Sequence, residues 1–254
     1  MILDKFKLTG KVAIVTGCST GLGQGMSFAF AEAGAKIVGV DYVDNSDDTK
    51  KKVEAAGSEF LYIRANLLTI DPIEGIINQA LEKFGSIDIL VNNAGIIRRV
   101  DAIEYSEKDW DDVLNINLKT VFFFSQMVAK QFVKQGSGGK IINIASMLSY
   151  QGGIRVPSYT ASKSGVMGIT RALANEWAKY NININAIAPG YMATNNTAAL
   201  RADEDRSSEI LGRIPAGRWG TPEDLQGVAV MLASDASNYV NGFTIAVDGG
   251  WLAR

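Results

Sequence analysis

Tyr159 and Lys163 stand four residues apart in Tyr159-Thr160-Ala161-Ser162-Lys163, at the start of a stretch with helical spacing, so one helix face carries both side chains. A free phenol, with a pKa of about 10, is too weak an acid to shuttle protons near neutrality. A neighbouring ammonium favours phenolate and is expected to lower the pKa of Tyr159 into a useful range. The spacing alone is common by chance, and its surroundings give it weight. Ser146 closes an apolar run thirteen residues earlier, where its hydroxyl suits a substrate oxygen beside the phenol. Asn117 lies in the preceding helical stretch, where its amide suits a water linking Lys163 to solvent. The chain contains no histidine, which excludes Ser-His-Asp triads, His-based zinc sites and imidazole bases. Proton transfer falls to carboxylate, Tyr, Lys or water, and no metal is expected.

Thr16-Gly17-Cys18-Ser19-Thr20-Gly21-Leu22-Gly23 joins the first apolar run to a helical stretch. Glycines at such a turn permit positive φ and let a pyrophosphate approach the backbone, facing the free N–H groups of the helix start. The spacing is Gly-x-x-x-Gly-x-Gly, not the Gly-x-Gly-x-x-Gly of the general fingerprint. Gly17, Ser19, Thr20, Gly21, Leu22 and Gly23 are the candidate phosphate contacts. Asp41 ends the second run, 24 residues after Gly17, where a carboxylate accepts from an adenosine ribose and repels a 2′-phosphate. No Arg or Lys lies in the glycine turn or directly after Asp41, where Tyr42 stands, so NAD is expected over NADP. Cys18 reads as a small filler rather than a redox switch.

These residues need a scaffold that gathers strand ends, and the apolar pattern supplies one. Runs rich in Val and Ile at 12–16, 36–40, 60–64, 87–91, 140–145, 183–188 and 243–247 read as strands buried on both faces. Helical stretches near 22–33, 46–56, 71–84, 106–135, 158–179 and 222–234 alternate with them. Such alternation predicts a single Rossmann-type, doubly wound parallel α/β sheet with helices on both faces. Asn92-Asn93-Ala94-Gly95 closes the fourth strand and Pro189-Gly190 the sixth, with Thr194 just beyond. All fall at the carboxyl edge, where open α/β sheets bind ligands. One domain is expected over 1–254, with residues 190–213 inserted as a lid over that edge.

In order and spacing, the glycine turn, Asn-Asn-Ala-Gly, Asn117, Ser146, Tyr159-x-x-x-Lys163 and Pro189-Gly190 resemble the short-chain dehydrogenase/reductase family across the whole chain. The resemblance implies a seven-stranded sheet, a nicotinamide dinucleotide, a homotetramer and an Asn117-Ser146-Tyr159-Lys163 tetrad. In that tetrad Tyr159 is the acid/base and Ser146 positions the reacting oxygen. Lys163 binds the nicotinamide ribose and lowers the tyrosine pKa, and Asn117 maintains the relay water. The resemblance also assigns cofactor contacts to Asn66, Leu67, Asn93, Ala94, Gly95, Pro189, Gly190, Met192 and Thr194. Asn66-Leu67 departs from the family, which commonly has Asp before the apolar residue; an amide still suits the adenine edge. Residues 92–99, 107–112, 145–163, 188–196 and 247–254 resemble one branch of the family. That branch interconverts 2-dehydro-3-deoxy-D-gluconate and 3-deoxy-D-glycero-2,5-hexodiulosonate in the breakdown of pectin-type uronates.

An anionic sugar acid finds independent support in Arg98, Arg99 and Arg155, whose guanidinium forks suit a carboxylate. Gln151, Asn195 and Asn196 suit a hydroxylated substrate, while Met147, Tyr150, Met192 and Trp251 read as packing. Two rivals stand beside this reading: a 3-oxoacyl or steroid ketone reductase of the same family, and a dinucleotide-sensing protein without turnover. A net charge of −2 over 254 residues gives no footprint for nucleic acid or an anionic membrane. No apolar run approaches the roughly 18 residues needed to span a bilayer. A single cysteine and the absence of a leader-like apolar stretch at the start make the cytoplasm the expected location.

Overall fold

The computed structural model describes residues 1–254. Seven strands form one sheet: β1 (Val12–Thr16), β2 (Lys36–Asp41), β3 (Phe60–Arg64), β4 (Ile89–Asn92), β5 (Gly139–Ile144), β6 (Ile182–Pro189) and β7 (Thr244–Val247). Every pairing is parallel, in the order β3-β2-β1-β4-β5-β6-β7. The helices are α1 (Gly21–Glu32), α2 (Asp47–Ala55), α3 (Ile73–Phe84), α4 (Glu107–Leu114), α5 (Thr120–Gln135), α6 (Pro157–Trp177), α7 (Ala198–Ala202), α8 (Glu204–Arg213) and α9 (Pro222–Ala233). The doubly wound parallel architecture is as the alternating pattern predicts, and every expected strand forms within two residues of its expected limits.

Alternation along β1 shows why both faces are covered. Val12 and Ile14 join a core with residues of α3, α5 and α6, whereas Ala13 and Val15 join a second core with α1, α2 and α9. A strand buried on both sides has no polar face to present, hence its continuous apolar run. Strand order reverses direction between β1 and β4, and the crevice above that switch point is where this topology holds ligands.

One difference from the sequence reading has a local cause. The expected helix over 106–135 is broken: a π-turn, Asn115–Lys119, separates α4 from α5. The Asn117 side chain bonds out of that turn to the β4 loop, a tertiary tie that periodicity does not register. Helix α3 begins at Ile73 with no side-chain cap, whereas Thr221 caps α9 in a reciprocal box with Asp224. The 190–213 segment carries α7 and α8, seated through Ile210, and Ile214 just beyond it, on a small core with Met147 and Trp251.

Candidate active site

The glycine turn is built for close approach. Gly17 and Gly21 have φ of +67° and +56°, which an L side chain adopts only under strain. A Cβ on Gly23 would lie 2.0 Å from the Gly17 carbonyl oxygen, so Gly23 serves helix–turn packing rather than contact with a ligand. Thr20, at the N-cap of α1, makes no side-chain capping bond, leaving the first turn facing the crevice. Ser19 donates its N–H to Asp41 Oδ2 at 3.0 Å and Tyr42 donates to Asp41 Oδ1 at 2.8 Å, which fixes the carboxylate at the β2 edge.

The turn is braced from neighbouring strands by residues that sequence reasoning passed over. Thr16 Oγ1 accepts from the N–H groups of Asn93 and Ala94, both at 2.9 Å, and donates to Val91 O at 3.2 Å. Asn93 Nδ2 donates to Thr16 O and Gly17 O, so its side chain braces the turn while the residue lines the cleft as expected. Gln24 and Thr49 hold the far side through Ser19 O and Cys18 O. Cys18 is fully buried, and burial pushes its thiol up to about 12, as befits a filler.

Two contiguous cavities open along the carboxyl edge. One of about 670 Å³ is walled by Asp41, Tyr42, Arg64, Asn66 and Leu67, among others. The other, about 410 Å³, runs from Gly17, Thr20, Gly21 and Leu22 past Ala94 and Gly95 to Tyr159, Lys163 and Thr194. Gly17, Thr20, Gly21, Leu22, Asp41, Asn93, Ala94, Gly95 and Thr194 thus share one cleft with the Tyr-Lys pair, whereas Ser19 and Gly23 do not line it. Pro189 and Gly190 close β6, where a Cβ on Gly190 would meet Asp248 at 2.6 Å, and neither lines these cavities. Met192 is buried with its sulfur against Gly220, so it packs the base of the lid segment rather than the cleft.

Ser146, at the end of β5, caps a short turn by accepting from Leu148 N–H at 3.1 Å. Ser149 ties that turn to α6: its hydroxyl donates to Lys163 O at 2.7 Å and accepts from Ser146 N–H at 3.3 Å. The Ser-x-x-Ser spacing of a capping box was the available signal for Ser149. Asn117 Oδ1 accepts from Ile96 N–H, while Nδ2 donates to Ile96 O and Ser162 Oγ. Both amide N–H groups are therefore occupied. Asn117 clamps the β4 loop to α6, and its amide is not the free water holder that was expected.

The electrostatics of the pair also differ from expectation. Lys163 Nζ donates to Ile144 O at 2.6 Å and lies 5.6 Å from the centre of the Tyr159 ring. Burial raises the phenol's pKa, and the Ser146 hydroxyl and the charge of Arg99 draw it back. Burial also lowers the Lys163 ammonium to about 8. Spacing put the ammonium on the same helix face but could not reveal that a strand carbonyl would capture it.

The three candidate arginines separate. Arg155 pairs with Asp101 at 2.9 Å, is 56% exposed and does not line the cleft. Arg98 lines the cleft but is held by Asp109 at 3.3 Å. Arg99 does not line the cleft either, but it donates to Asn196 O, which does, at 2.9 Å, has no carboxylate partner, and its charge favours the Tyr159 phenolate. Asn195 and Asn196 line the cleft as expected, whereas Gln151 is taken by the Trp251 indole N–H at 3.2 Å. Met147 and Trp251 are packing residues, as the sequence suggested. No group of three or more His, Cys, Asp or Glu side chains is arranged to hold a metal, and no helix is long and apolar enough to cross a membrane.

A family model described as enoyl-(acyl carrier protein) reductase matches residues 17–252. The chain belongs to the short-chain dehydrogenase/reductase family, whose members are oxidoreductases. It is 70% identical to a 2-dehydro-3-deoxy-D-gluconate 5-dehydrogenase of Dickeya dadantii and 68% identical to one of Escherichia coli, with 100% of both chains covered in each case. Among solved structures it resembles a gluconate 5-dehydrogenase of Burkholderia cenocepacia in complex with NADP and tartrate. There the TM-score is 0.95 and the identity 36%, with 100% of each chain covered. The residues of the cleft fit the dinucleotide of this family: a glycine turn at positive φ, an uncapped helix start, and a fixed carboxylate at the edge of β2.

Proposed function

We propose that this protein interconverts a secondary alcohol and a ketone on an anionic sugar acid, 2-dehydro-3-deoxy-D-gluconate and 3-deoxy-D-glycero-2,5-hexodiulosonate, in uronate catabolism. The observation that carries this reading is a single cleft that joins the glycine turn to Tyr159 and Lys163, with Arg99, free of any carboxylate, tied to the cleft residue Asn196. The full-length similarity to 2-dehydro-3-deoxy-D-gluconate 5-dehydrogenases supports the choice of substrate. When bound, the nicotinamide supplies or accepts the hydride.

The rest falls to this chain. Burial keeps Tyr159 protonated near neutrality, which suits it to give its proton to the carbonyl oxygen as a ketone is reduced. The Ser146 hydroxyl holds that oxygen. In the reverse direction the same two aids, Ser146 and Arg99, favour the phenolate that takes the alcohol's proton. Lys163, anchored by Ile144 O, presents its ammonium to the nicotinamide ribose. Asn117 sets the distance between the β4 loop and α6, and Ser149 sets that between the Ser146 turn and α6. Arg99 takes the substrate carboxylate, and its tie to Asn196 joins that contact to the 190–213 segment, which acts as a lid on a single domain.

Asp41 directs the preference to NAD by accepting from the adenosine ribose and repelling a 2′-phosphate. Assembly into a homotetramer is supported by half-exposed Trp110 and Val133 on α4 and α5 and by exposed Phe243 beside β7. The cytoplasm is the proposed location. Following NADH absorbance with uronate-derived keto acids, a 3-oxoacyl thioester and a steroid ketone tests the reading. Turnover of the keto acid alone supports it. Turnover of the thioester or the steroid ketone instead, or tight NADH binding with no turnover, overturns it.

A further inference from the structure

Arg64 is a cation at the adenosine end of the cleft that the cofactor reading above leaves unused. β2 and β3 run in register with Asp41 beside Arg64, so a carboxylate and a guanidinium leave the sheet edge side by side. Both line the larger cavity together with Tyr42 and Asn66. Asp41 is fixed by two backbone N–H groups. Arg64 is not: its Nε donates to Tyr42 O at 3.2 Å, and one terminal nitrogen meets Asp44 at 3.1 Å. The two partners of that ion pair are 64% and 85% exposed, so water screens it and little holds it. A phosphate monoester carries more charge than a carboxylate and offers three acceptor oxygens, which a guanidinium fork can take in pairs.

We propose that Arg64 exchanges Asp44 for the 2′-phosphate of NADP, so that this chain accepts both nicotinamide dinucleotides. Asp41 sets the preference for NAD, and Arg64 limits it. The proposal rests on the reading that the adenosine ribose lies against Asp41. Neighbouring strands are about 4.8 Å apart, so a phosphate repelled by Asp41 sits within reach of the compensating cation on the next strand. No bond is made or broken in the exchange. The Nε anchor to Tyr42 O is retained while the terminal nitrogens change partner.

Calorimetric titration with 2′,5′-ADP and 5′-AMP, which differ only in the 2′-phosphate, tests this without turnover, and NADPH and NADH fluorescence titrations extend it to the whole cofactor. Arg64→Ala is expected to weaken 2′,5′-ADP and NADPH about tenfold while 5′-AMP and NADH change less than about twofold. Asp44→Asn, which releases Arg64, is expected to tighten 2′,5′-ADP by roughly two- to fivefold. An unchanged affinity of Arg64→Ala for 2′,5′-ADP overturns the proposal. So does equal weakening of both fragments, which would make Arg64 an adenine-stacking residue. Asp41→Ala separates the two readings. If it shifts the NADH-to-NADPH ratio while Arg64→Ala does not, only the phosphate proposal falls. If neither variant shifts it, the ribose placement falls as well.

Discussion

Replacing Thr16 with Val keeps the β-branched shape of a fully packed strand end and removes one oxygen. That oxygen accepts from Asn93 N–H and Ala94 N–H at 2.9 Å each, and Thr16 is only 2% exposed, so no water replaces it. A buried N–H left without a partner costs about 1–3 kcal/mol. Two such groups make the expected loss about 2–6 kcal/mol, large against a typical total stability of about 5–15 kcal/mol. The same bonds join the glycine turn to the β4 loop, the two walls of the dinucleotide cleft, so NADH affinity should fall together with stability. Equilibrium urea unfolding gives the first quantity from the shift in midpoint at unchanged slope. Fluorescence titration with NADH gives the second. Thr16→Ser, which keeps the oxygen and loses one methyl, should cost only about 1 kcal/mol and bind NADH nearly as the parent does. A Thr16→Val protein less than about 1 kcal/mol weaker than the parent would refute the bracing argument.

Tyr159→Phe should lower kcat by about 10²–10⁴-fold with NADH affinity nearly intact, because only the transferable proton is lost; substantial residual turnover would contradict the assigned role. Arg99→Met should lower kcat/KM for an anionic substrate by about 10–100-fold, chiefly through KM, whereas Arg155→Ala should leave it nearly unchanged. Since the Arg99 charge favours the phenolate, the same variant should also move the pH profile of alcohol oxidation upward, and an unmoved profile would count against that contact. Lys140, whose ammonium bonds Asn183 and Asn238 at 2.8 and 2.7 Å, is lowered by burial to about 8 from 10.5. Between those values the unfolded chain binds more protons than the folded one, so this group makes stability rise as pH increases from about 8 towards 10.5. Lys140→Met should flatten that rise whatever it does to stability at neutral pH, and an unchanged slope in urea unfolding at several pH values would refute it.

Local chemistry alone determined a good deal. The continuous Val and Ile runs require strands buried on both faces, and alternation with helical stretches leaves a parallel sheet as the way to cover them. Gly17 and Gly21 had to be glycine because the turn needs positive φ, and the Tyr159-to-Lys163 spacing placed both on one helix face. Those features depend on neighbours in the chain, so the chain discloses them. Hydrogen-bond partners do not. Whether Asn93 and Asn117 touch a ligand or brace a loop was decided by which backbone groups stood opposite them after folding. Arg64 became a neighbour of Asp41 only through the register of β2 and β3, 23 residues apart in sequence. The Lys163 ammonium lies 5.6 Å from the centre of the Tyr159 ring but bonds the Ile144 carbonyl, and the charge of Arg99, from the loop after β4, also favours the phenolate. Electrostatic influence follows distance through space and the loss of water, and both are products of the tertiary structure.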